Sequence, residues 1–320
     1  MRVERTWTAG ELSGEEVSWD VGFGPRTRAH VLRPREAGGA ALPGVLALHC
    51  HAGMKWAGKE KIADGPEAPS PEVTRLRAAI YGGRAWAGSW PGAGSPYWCP
   101  TPWAGEPPGP PRRHAPSALA CVPAELGEAD RYDVAAAHHE HVLAKYCTVL
   151  GTSYAGVVAG EDLAAAAYLR SRPDTGSVGC AGLSGGGLRA ALLGAFDPGV
   201  EAVAAIAMIS SYRDLLDGYV AGHTWMLYPP GLSRLCDLPD LVACAAPRPL
   251  FVWYGERDAI LPPSGMRRAH TMITAHYRQA PADYTGVFAD AGHEFGLPAQ
   301  ERVFGWLAGH LRADGGGPWR

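Results

Sequence analysis

A serine in a glycine-rich turn is the side chain of this sequence best suited to act as a nucleophile. Residues 182–186 read Gly-Leu-Ser-Gly-Gly, after an apolar run at 178–181 and before a run of helical pattern at 188–195. Glycines permit the tight, strained turn that projects Ser184 above the edge of a sheet. Because such turns are common in a chain with 42 glycines, the assignment depends on finding a base and an acid.

Two polar residues further along the chain could activate this serine, whose hydroxyl needs a base that is itself oriented by an acid. Asp258 and His293 each follow a short apolar run. Both therefore lie just past the carboxyl ends of predicted strands, the edge at which open α/β sheets place their sites. The alternatives are a helix N-cap for Asp258, a surface position for His293, and Glu256 or Asp290 as the acid.

The segment after the apolar run 45–48 could supply a backbone donor. From residue 49 it reads His-Cys-His-Ala-Gly-Met. Acyl transfer develops negative charge on a carbonyl oxygen, which two backbone N–H groups usually stabilise. We expect these N–H groups to come from Gly185 and Gly53, with the side chains of His49 and His51 organising the loop. No carboxylate or third histidine has a compelling spacing to complete a metal site with them.

These motifs resemble the α/β-hydrolases, most closely the branch that contains dienelactone hydrolases and bacterial acetyl esterases. The resemblance implies a doubly wound sheet, in which the chain order serine, aspartate, histidine is expected. It also implies the triad Ser184, Asp258 and His293, and hydrolysis of an ester-like bond without a cofactor. The segments that carry the resemblance lie at 48–55, 58–61, 179–187, 246–258 and 292–293.

Two positions depart from that family. Dienelactone hydrolases use cysteine where this chain has Ser184, which favours an ordinary serine esterase over lactone ring opening. Relatives often carry glycine where this chain has Ala52, in the segment expected to bind the oxyanion.

The predicted activity is cleavage of a small-molecule carboxylic ester through an acyl-enzyme. His293 takes the proton of Ser184, Ser184 attacks the carbonyl, Asp258 holds the imidazole, and water releases the acyl group. Rival functions on the same fold are those of a thioesterase, a lactonase or a peptidase. Rivals of another class are a biosynthetic tailoring enzyme, which would use the pocket for cyclisation or elimination, and a binding protein with an impaired site.

The hydrophobic pattern predicts one α/β domain over residues 1–320, with a mostly parallel sheet covered by helices on both faces. The predicted strands are Glu16–Asp20, Arg28–Leu32, Val45–Leu48, Val178–Ala181, Ala202–Ile209, Leu250–Tyr254 and Tyr284–Ala289. The predicted helices are Glu72–Ala87, His138–Leu150, Glu161–Arg170, Leu188–Ala195 and Glu301–Leu311.

Composition excludes several other classes of protein. With 47% hydrophobic and 19% charged residues, the chain can bury a large core and is not disordered as a whole. The net charge of -3 removes the electrostatic basis for a general nucleic-acid binder. Seven scattered cysteines argue against a disulfide framework or a cysteine-based zinc site. No secretory signal or long apolar run is visible, so we expect a cytoplasmic protein without a membrane span.

The segment between the predicted strand at 202–209 and the predicted strand at 250–254, which precedes Asp258, is long enough to form a cap over the pocket. We take Arg213–Leu235 as this insertion, with His223 and Trp225 as walls of the acyl pocket. The alternative is that both side chains serve only for packing.

Two other groups of charged residues are assigned to solvated surfaces. Lys55, Lys59 and Lys61 are three of the four lysines, and we expect a solvated turn rather than an anion-attracting patch. His138 and His141 could share a helix face, but a solvated helix surface is favoured over a metal site.

Residues 88–118 match no element, although this fold needs a central strand there. When the codons of residues 96–101 are read from the third base of each, they encode a different string of five residues. The first is apolar, the second is Leu, the third is Val, the fourth is Pro or Ser, and the fifth can be Asp. That string is typical of a buried strand that ends at the active-site edge. We therefore predict a compensated frameshift or a sequencing error, with the frame regained near Arg112. As written, the segment should give an irregular loop, an incomplete sheet and poor soluble expression.

Overall fold

The computed structural model describes residues 1–22, 26–37, 41–89, 97–101 and 125–312, with only the backbone described for 97–101. Nine strands of this part form one sheet in the order β1-β2-β3-β5-β4-β6-β7-β8-β9. They are β1 Arg2–Ala9, β2 Leu12–Trp19, β3 Thr27–Pro34, β4 Leu42–Leu48, β5 Tyr97–Thr101, β6 Thr175–Leu183, β7 Val200–Ile206, β8 Leu250–Gly255 and β9 Tyr284–Ala289.

Helices cover the sheet on both faces. Those of the described residues are α1 Pro71–Ile80, α2 Glu128–Val149, α3 Tyr154–Ser171, α4 Gly185–Phe196, α5 Tyr212–Leu215, α6 Leu238–Ala243, α7 Pro263–His276 and α8 Leu297–His310. The first three strands pair antiparallel and β5 joins β3 antiparallel, whereas every pairing from β5 through β4 to β9 is parallel. The predicted doubly wound, mostly parallel α/β sheet is therefore confirmed.

The buried strands explain why the site can be rigid. All six residues of β8 are buried, and so are the last seven of β6, since helices cover both of their faces. Runs of small and β-branched apolar residues such as Val203 to Ile206 suit these central strands. The carboxyl ends of β4, β6, β8 and β9 consequently meet at one firmly held edge.

Several predicted boundaries are corrected. Strand β1 was not predicted, because it lies at the exposed edge of the sheet and alternates without a clear apolar face. The helix predicted to reach Ala87 ends at Ile80, since Gly82 and Gly83 adopt positive φ angles of 62° and 81° that reverse the chain. Helix α2 begins at Glu128, ten residues before the predicted start.

The predicted gap in the sheet is wrong at the level of the backbone. Strand β5 lies between β3 and β4, with Val31 opposite Trp98 and Leu46 opposite Trp98 across the two pairings. A strand needs only extended backbone and two neighbouring ladders, which the side-chain pattern of this segment did not indicate. The rest of the predicted irregular segment, 90–96 and 102–118, lies outside the described residues.

Within the described part of the chain, no single helix is long and apolar enough to cross a membrane. The pair α2 and α3, bent by 93° at their junction, passes that test of length and composition together.

Candidate active site

Ser184 lies in a strained turn between β6 and α4. Its backbone angles are φ 57° and ψ -125°, a region that L-residues rarely occupy. Glycines make the turn feasible: a Cβ on Gly182 would lie 2.6 Å from the Leu48 carbonyl oxygen, and one on Gly186 would overlap that same oxygen. Ser184 is largely buried at the edge of the sheet, and its N–H donates to the Ile206 carbonyl at 2.8 Å. The predicted strand–serine–helix turn therefore has the strain that such a nucleophile requires.

His293 and Asp258 lie next to each other at the same edge of the sheet. His293 Nδ1 is 2.6 Å from Asp258 Oδ2, and the other oxygen of this buried carboxylate accepts the Ile260 N–H at 2.9 Å. Within the described residues, Ser184 Oγ makes no direct hydrogen bond to His293. Such bonds often form only in the complex with substrate.

The two other carboxylates considered as the acid point elsewhere. Glu256 lies 3.4 Å from Arg267, and Asp290 lies 2.9 Å from Arg257, both with exposed side chains. Of the three candidates, Asp258 is therefore the one that the geometry pairs with His293.

In the loop after β4, the N–H of Gly53, predicted to bind the oxyanion, makes a hydrogen bond within the loop. Gly53 is exposed, and its N–H donates to His51 Nδ1 at 3.1 Å, because Ala52 and Gly53 both adopt left-handed backbone with φ of 50° and 68°. The His51 backbone nitrogen instead faces Gly185, since a Cβ on Gly185 would lie 3.5 Å from it. The His51 N–H, whose nitrogen lies near Gly185, is thus an alternative to that of Gly53 as a donor at this edge of the sheet.

The three lysines beside this loop are buried, so the predicted solvated turn is wrong. Lys55, Lys59 and Lys61 are 7%, 3% and 1% exposed. Lys55 pairs with Glu140, and Lys59 with Glu60 and Glu16. Lys61 donates to backbone carbonyls of the loop, and burial lowers the pKa of its ammonium group.

Helix α2 holds the outer part of the loop with two carboxylates. Asp133 Oδ1 accepts the backbone N–H groups of Lys55 and Trp56 at 2.6 and 2.5 Å. Glu140 accepts from Lys55 and lies 3.5 Å from His51 Nε2. Burial alone would raise the pKa of Glu140, but hydrogen bonds from His51 and Lys55 and the charge of Lys55 hold it well below its usual range.

Glu140 also binds the predicted cap. Its Oε1 accepts from Thr224 Oγ1 at 2.5 Å and from the Trp225 N–H at 2.8 Å. The indole of Trp225 is 43% exposed and donates to His141 Nδ1 at 2.6 Å, which places it on the outside of the insertion. His223 contacts the loop that carries Asp258, with its Nε2 at 3.0 Å from the Ile260 carbonyl oxygen. Burial, and then the nearby His293, lower the pKa of His223.

A small cavity of about 60 Å³ lies beside Gly185. Thr224 and Met226 of the insertion contribute to it, whereas Trp225 does not. Its apolar walls are Met54, Ala57, Tyr154, Val158 and Met226. This mostly apolar chamber, to which Lys55, Lys61 and Arg189 also contribute, adjoins Ser184 through Gly185 and has room for a small hydrocarbon group.

Helix α1 connects the two sides of this site. Arg77 donates to the carbonyls of Glu60 and Ala63 at 2.5 and 3.0 Å, next to Lys61. The Ile80 carbonyl accepts the N–H of Phe295 at 2.8 Å, two residues after His293. At the end of the helix, Gln300 Nε2 donates to the Tyr81 carbonyl at 2.9 Å.

Sequence reasoning missed Glu140, Asp133 and Arg77. Nothing in the pattern marks them, because a buried and an exposed charged residue look alike in a sequence. The Gly-Lys-Glu-Lys segment at 58–61 pointed to the lysines beside the 49–56 loop but not to these three residues. His138 and His141 are exposed, and no group of three metal-ligating side chains occurs in the described ranges.

Comparison with known proteins identifies the architecture. No protein-family model matches the chain, and no curated protein matches it in sequence. Among solved structures, a glucuronoyl esterase from Solibacter usitatus superposes with a TM-score of 0.62 at 14% identity, covering 96% of this chain and 85% of its own.

Two other solved structures agree with that result. An esterase described as promiscuous, from a marine bacterial metagenome, gives 0.58 at 15% identity, with 97% of this chain and 84% of its own covered. A Klebsiella pneumoniae protein provisionally described as a dienelactone hydrolase gives 0.52 at 16%, with 93% and 98% covered. Likeness at such identities establishes the fold, and the chain has the α/β-hydrolase fold.

Proposed function

We propose that the protein is a serine esterase that cleaves a small carboxylic ester through an acyl-enzyme. The strained backbone of Ser184, at the sheet edge that also carries the hydrogen-bonded pair of Asp258 and His293, is the observation that supports this most strongly. The esterases among the structural neighbours agree with it.

In the proposed reaction, His293 accepts the proton of Ser184 as the hydroxyl oxygen attacks the carbonyl carbon. Asp258 orients the imidazole and stabilises its charged form. The oxyanion accepts hydrogen bonds from the N–H groups of Gly185 and His51. The tetrahedral intermediate collapses, the alcohol leaves with the proton from His293, and water repeats the sequence to release the acid.

The insertion Arg213–Leu235 acts as a small cap in this proposal. Thr224 and Met226 line the cavity beside Gly185, and His223 contacts the loop that follows Asp258. The acyl group would occupy the apolar chamber, with His223 near the catalytic histidine. Trp225 contacts His141 and would anchor the cap rather than form a wall of the pocket.

Intact-mass measurement after treatment with a fluorophosphonate tests the proposal. A single adduct is expected on the wild-type protein and none on Ser184→Ala. A panel of acetyl, longer acyl, thioester and lactone substrates then distinguishes an esterase from a thioesterase or lactonase. A protein that forms no adduct and turns over none of these would be a binding protein or a non-hydrolytic enzyme.

A further inference from the structure

Lys61 is a buried cation that binds one stretch of backbone. Its Nζ donates to the carbonyls of Cys50, His51 and Met54 at 2.9, 3.0 and 2.6 Å. Lys55 and Lys59 pair with carboxylates, whereas Lys61 forms no ion pair with any residue of the described ranges. Since placing an ammonium group at 1% exposure without a counter-ion costs folding energy, a role in shaping this loop would account for it.

The bond to Cys50 fixes the direction of the His51 N–H. The Cys50 carbonyl and the His51 N–H belong to one planar peptide group, in which they point in opposite directions. Lys61 lies on the carbonyl side, together with His49 Nδ1 at 3.0 Å from the same oxygen. The N–H therefore points away from Lys61, and its nitrogen lies 3.5 Å from the position that a Cβ on Gly185 would take.

The position of Lys61 is itself fixed from behind. Arg77, which is buried, donates to the carbonyls of Glu60, Lys61 and Ala63 at 2.5, 3.2 and 3.0 Å. Its remaining nitrogen pairs with Asp64 at 2.7 Å. The ammonium group is thus attached to a short segment whose own carbonyls are held.

We propose that Lys61 is the positioning residue of the oxyanion hole: it binds the Cys50 and His51 carbonyls so that the His51 N–H faces the developing oxyanion. The inference rests on the proposed esterase function and adds a residue to it. The cationic hydrogen bond also polarises the peptide group, which makes its N–H a stronger donor. The contribution belongs to the transition state, because the ground-state carbonyl oxygen needs the donor less.

The test compares Lys61→Met with Arg248→Met. Arg248 also donates to three backbone carbonyls, those of Gly194, Asp197 and Val200, but at the opposite end of the sheet. Each variant is measured for thermal unfolding, for kcat and KM with an activated acetyl ester, and for inhibition by an aryl trifluoromethyl ketone. That inhibitor adds to the serine and places an oxyanion in the hole.

For Lys61→Met we expect kcat to fall by about 10- to 100-fold, less than the loss typical of deleting a donor outright, with KM nearly unchanged. Inhibition by the ketone should weaken by a similar factor. Lys61→Arg, which keeps the charge and the donors, should recover part of kcat. Arg248→Met should lose stability but keep kcat and the inhibition constant.

A Lys61→Met kcat within about threefold of wild type would overturn the proposal. So would an equal loss of kcat in Arg248→Met, because the effect would then be general destabilisation. If Lys61→Met is insoluble, Lys61→Gln is judged by the same criteria. A wild-type protein without turnover or a fluorophosphonate adduct would instead refute the esterase function, a distinguishable result.

Discussion

The Ser184 turn and the loop at 49–56, the proposed nucleophile side and oxyanion side of the site, are held in place by different forces. Around Ser184, glycine backbone packs directly on the Leu48 carbonyl, so shape alone determines the turn. Around His51, buried charges from other parts of the chain hold the backbone: Lys61 from behind and the carboxylates of α2 from the outside.

Because of this difference, the two sides should respond differently to mutation and to pH. A turn determined by close packing tolerates no added atom but is insensitive to pH. A loop held by ion pairs and charged hydrogen bonds tolerates small changes of shape but responds to charge and to acid. Variants on the two sides can therefore be used to separate the two kinds of stabilisation.

The largest effect should come from the reacting groups themselves. Ser184→Ala and His293→Ala should each reduce kcat by several orders of magnitude with an unchanged fold, since oxyanion binding alone leaves only about 10³–10⁴ over water. Asp258→Asn should be somewhat less damaging. If His51→Ala were inactive and His293→Ala active, the base would be misassigned.

On the nucleophile side, Gly186→Ala should prevent correct folding. Its Cβ would overlap a backbone oxygen that cannot move without displacing β4. The resulting strain should exceed the roughly 1–3 kcal/mol that is typical of overpacking an ordinary core. Thermal unfolding and soluble yield measure this. Gly160→Ala is the matched control, because Gly160 lies in α3 with no atom near its added Cβ. A Gly186→Ala protein as stable as wild type would remove the shape argument.

The predicted frameshift in residues 88–111 concerns the strand next to the oxyanion side. Strand β5 pairs with β4, and β4 leads into the loop at 49–56. The written residues do form β5, but the shifted reading is more apolar, so we expect resequencing of the gene to reveal the compensated shift. A repaired chain, with an apolar strand in place of Tyr97–Thr101, should unfold at a higher temperature, since each buried apolar side chain contributes about 1.5–3 kcal/mol. A gene that matches the written residues at every codon contradicts the prediction.

Glu140→Gln tests the charged side directly. Removing one partner leaves Lys55 buried without its counter-charge, which should cost about 3 kcal/mol in the free energy of unfolding near neutral pH. The pKa of Glu140 is lower in the folded state than in the unfolded chain. Its contribution is therefore fully present above the unfolded pKa of about 4.3 and declines as the pH falls below it.

The difference in stability between wild type and Glu140→Gln should accordingly shrink in acid, as measured by denaturant unfolding at several pH values. Glu128→Gln, at the exposed start of the same helix, should change little at any pH. A pH-independent difference would show that Glu140 acts by packing rather than by charge.

The smallest effect is expected at Ala52, where φ is 50°. Glycine adopts left-handed backbone without the cost of roughly 1–2 kcal/mol that a Cβ brings, but it loses more entropy on folding. Ala52→Gly should therefore change the unfolding free energy by less than about 1 kcal/mol, in the stabilising direction. Chemical denaturation checks this, with Ala52→Val as the expected destabilised counterpart.

The sequence was informative where chemistry needs a particular backbone and uninformative where it needs a charge at a distance. Ser184, Asp258 and His293 could be found because glycines and strand ends mark them, and β6 to β9 because their apolar runs are continuous. The hydrogen bond from the Gly53 N–H to His51 could not be predicted, since it depends on the left-handed backbone at 52–53. Lys61 and Glu140 could not be recognised as buried, because their partners lie on other elements.

The bonds that α1 makes to both sides of the site have a consequence for which parts of the chain the site depends on. Gln300 and Tyr81, joined at the end of this helix, are 219 positions apart in the chain. Closing a loop of that length costs conformational entropy, which the contacts of the last helix must offset. The arrangement of α1 therefore depends on α8, a helix that contributes none of the three proposed catalytic side chains.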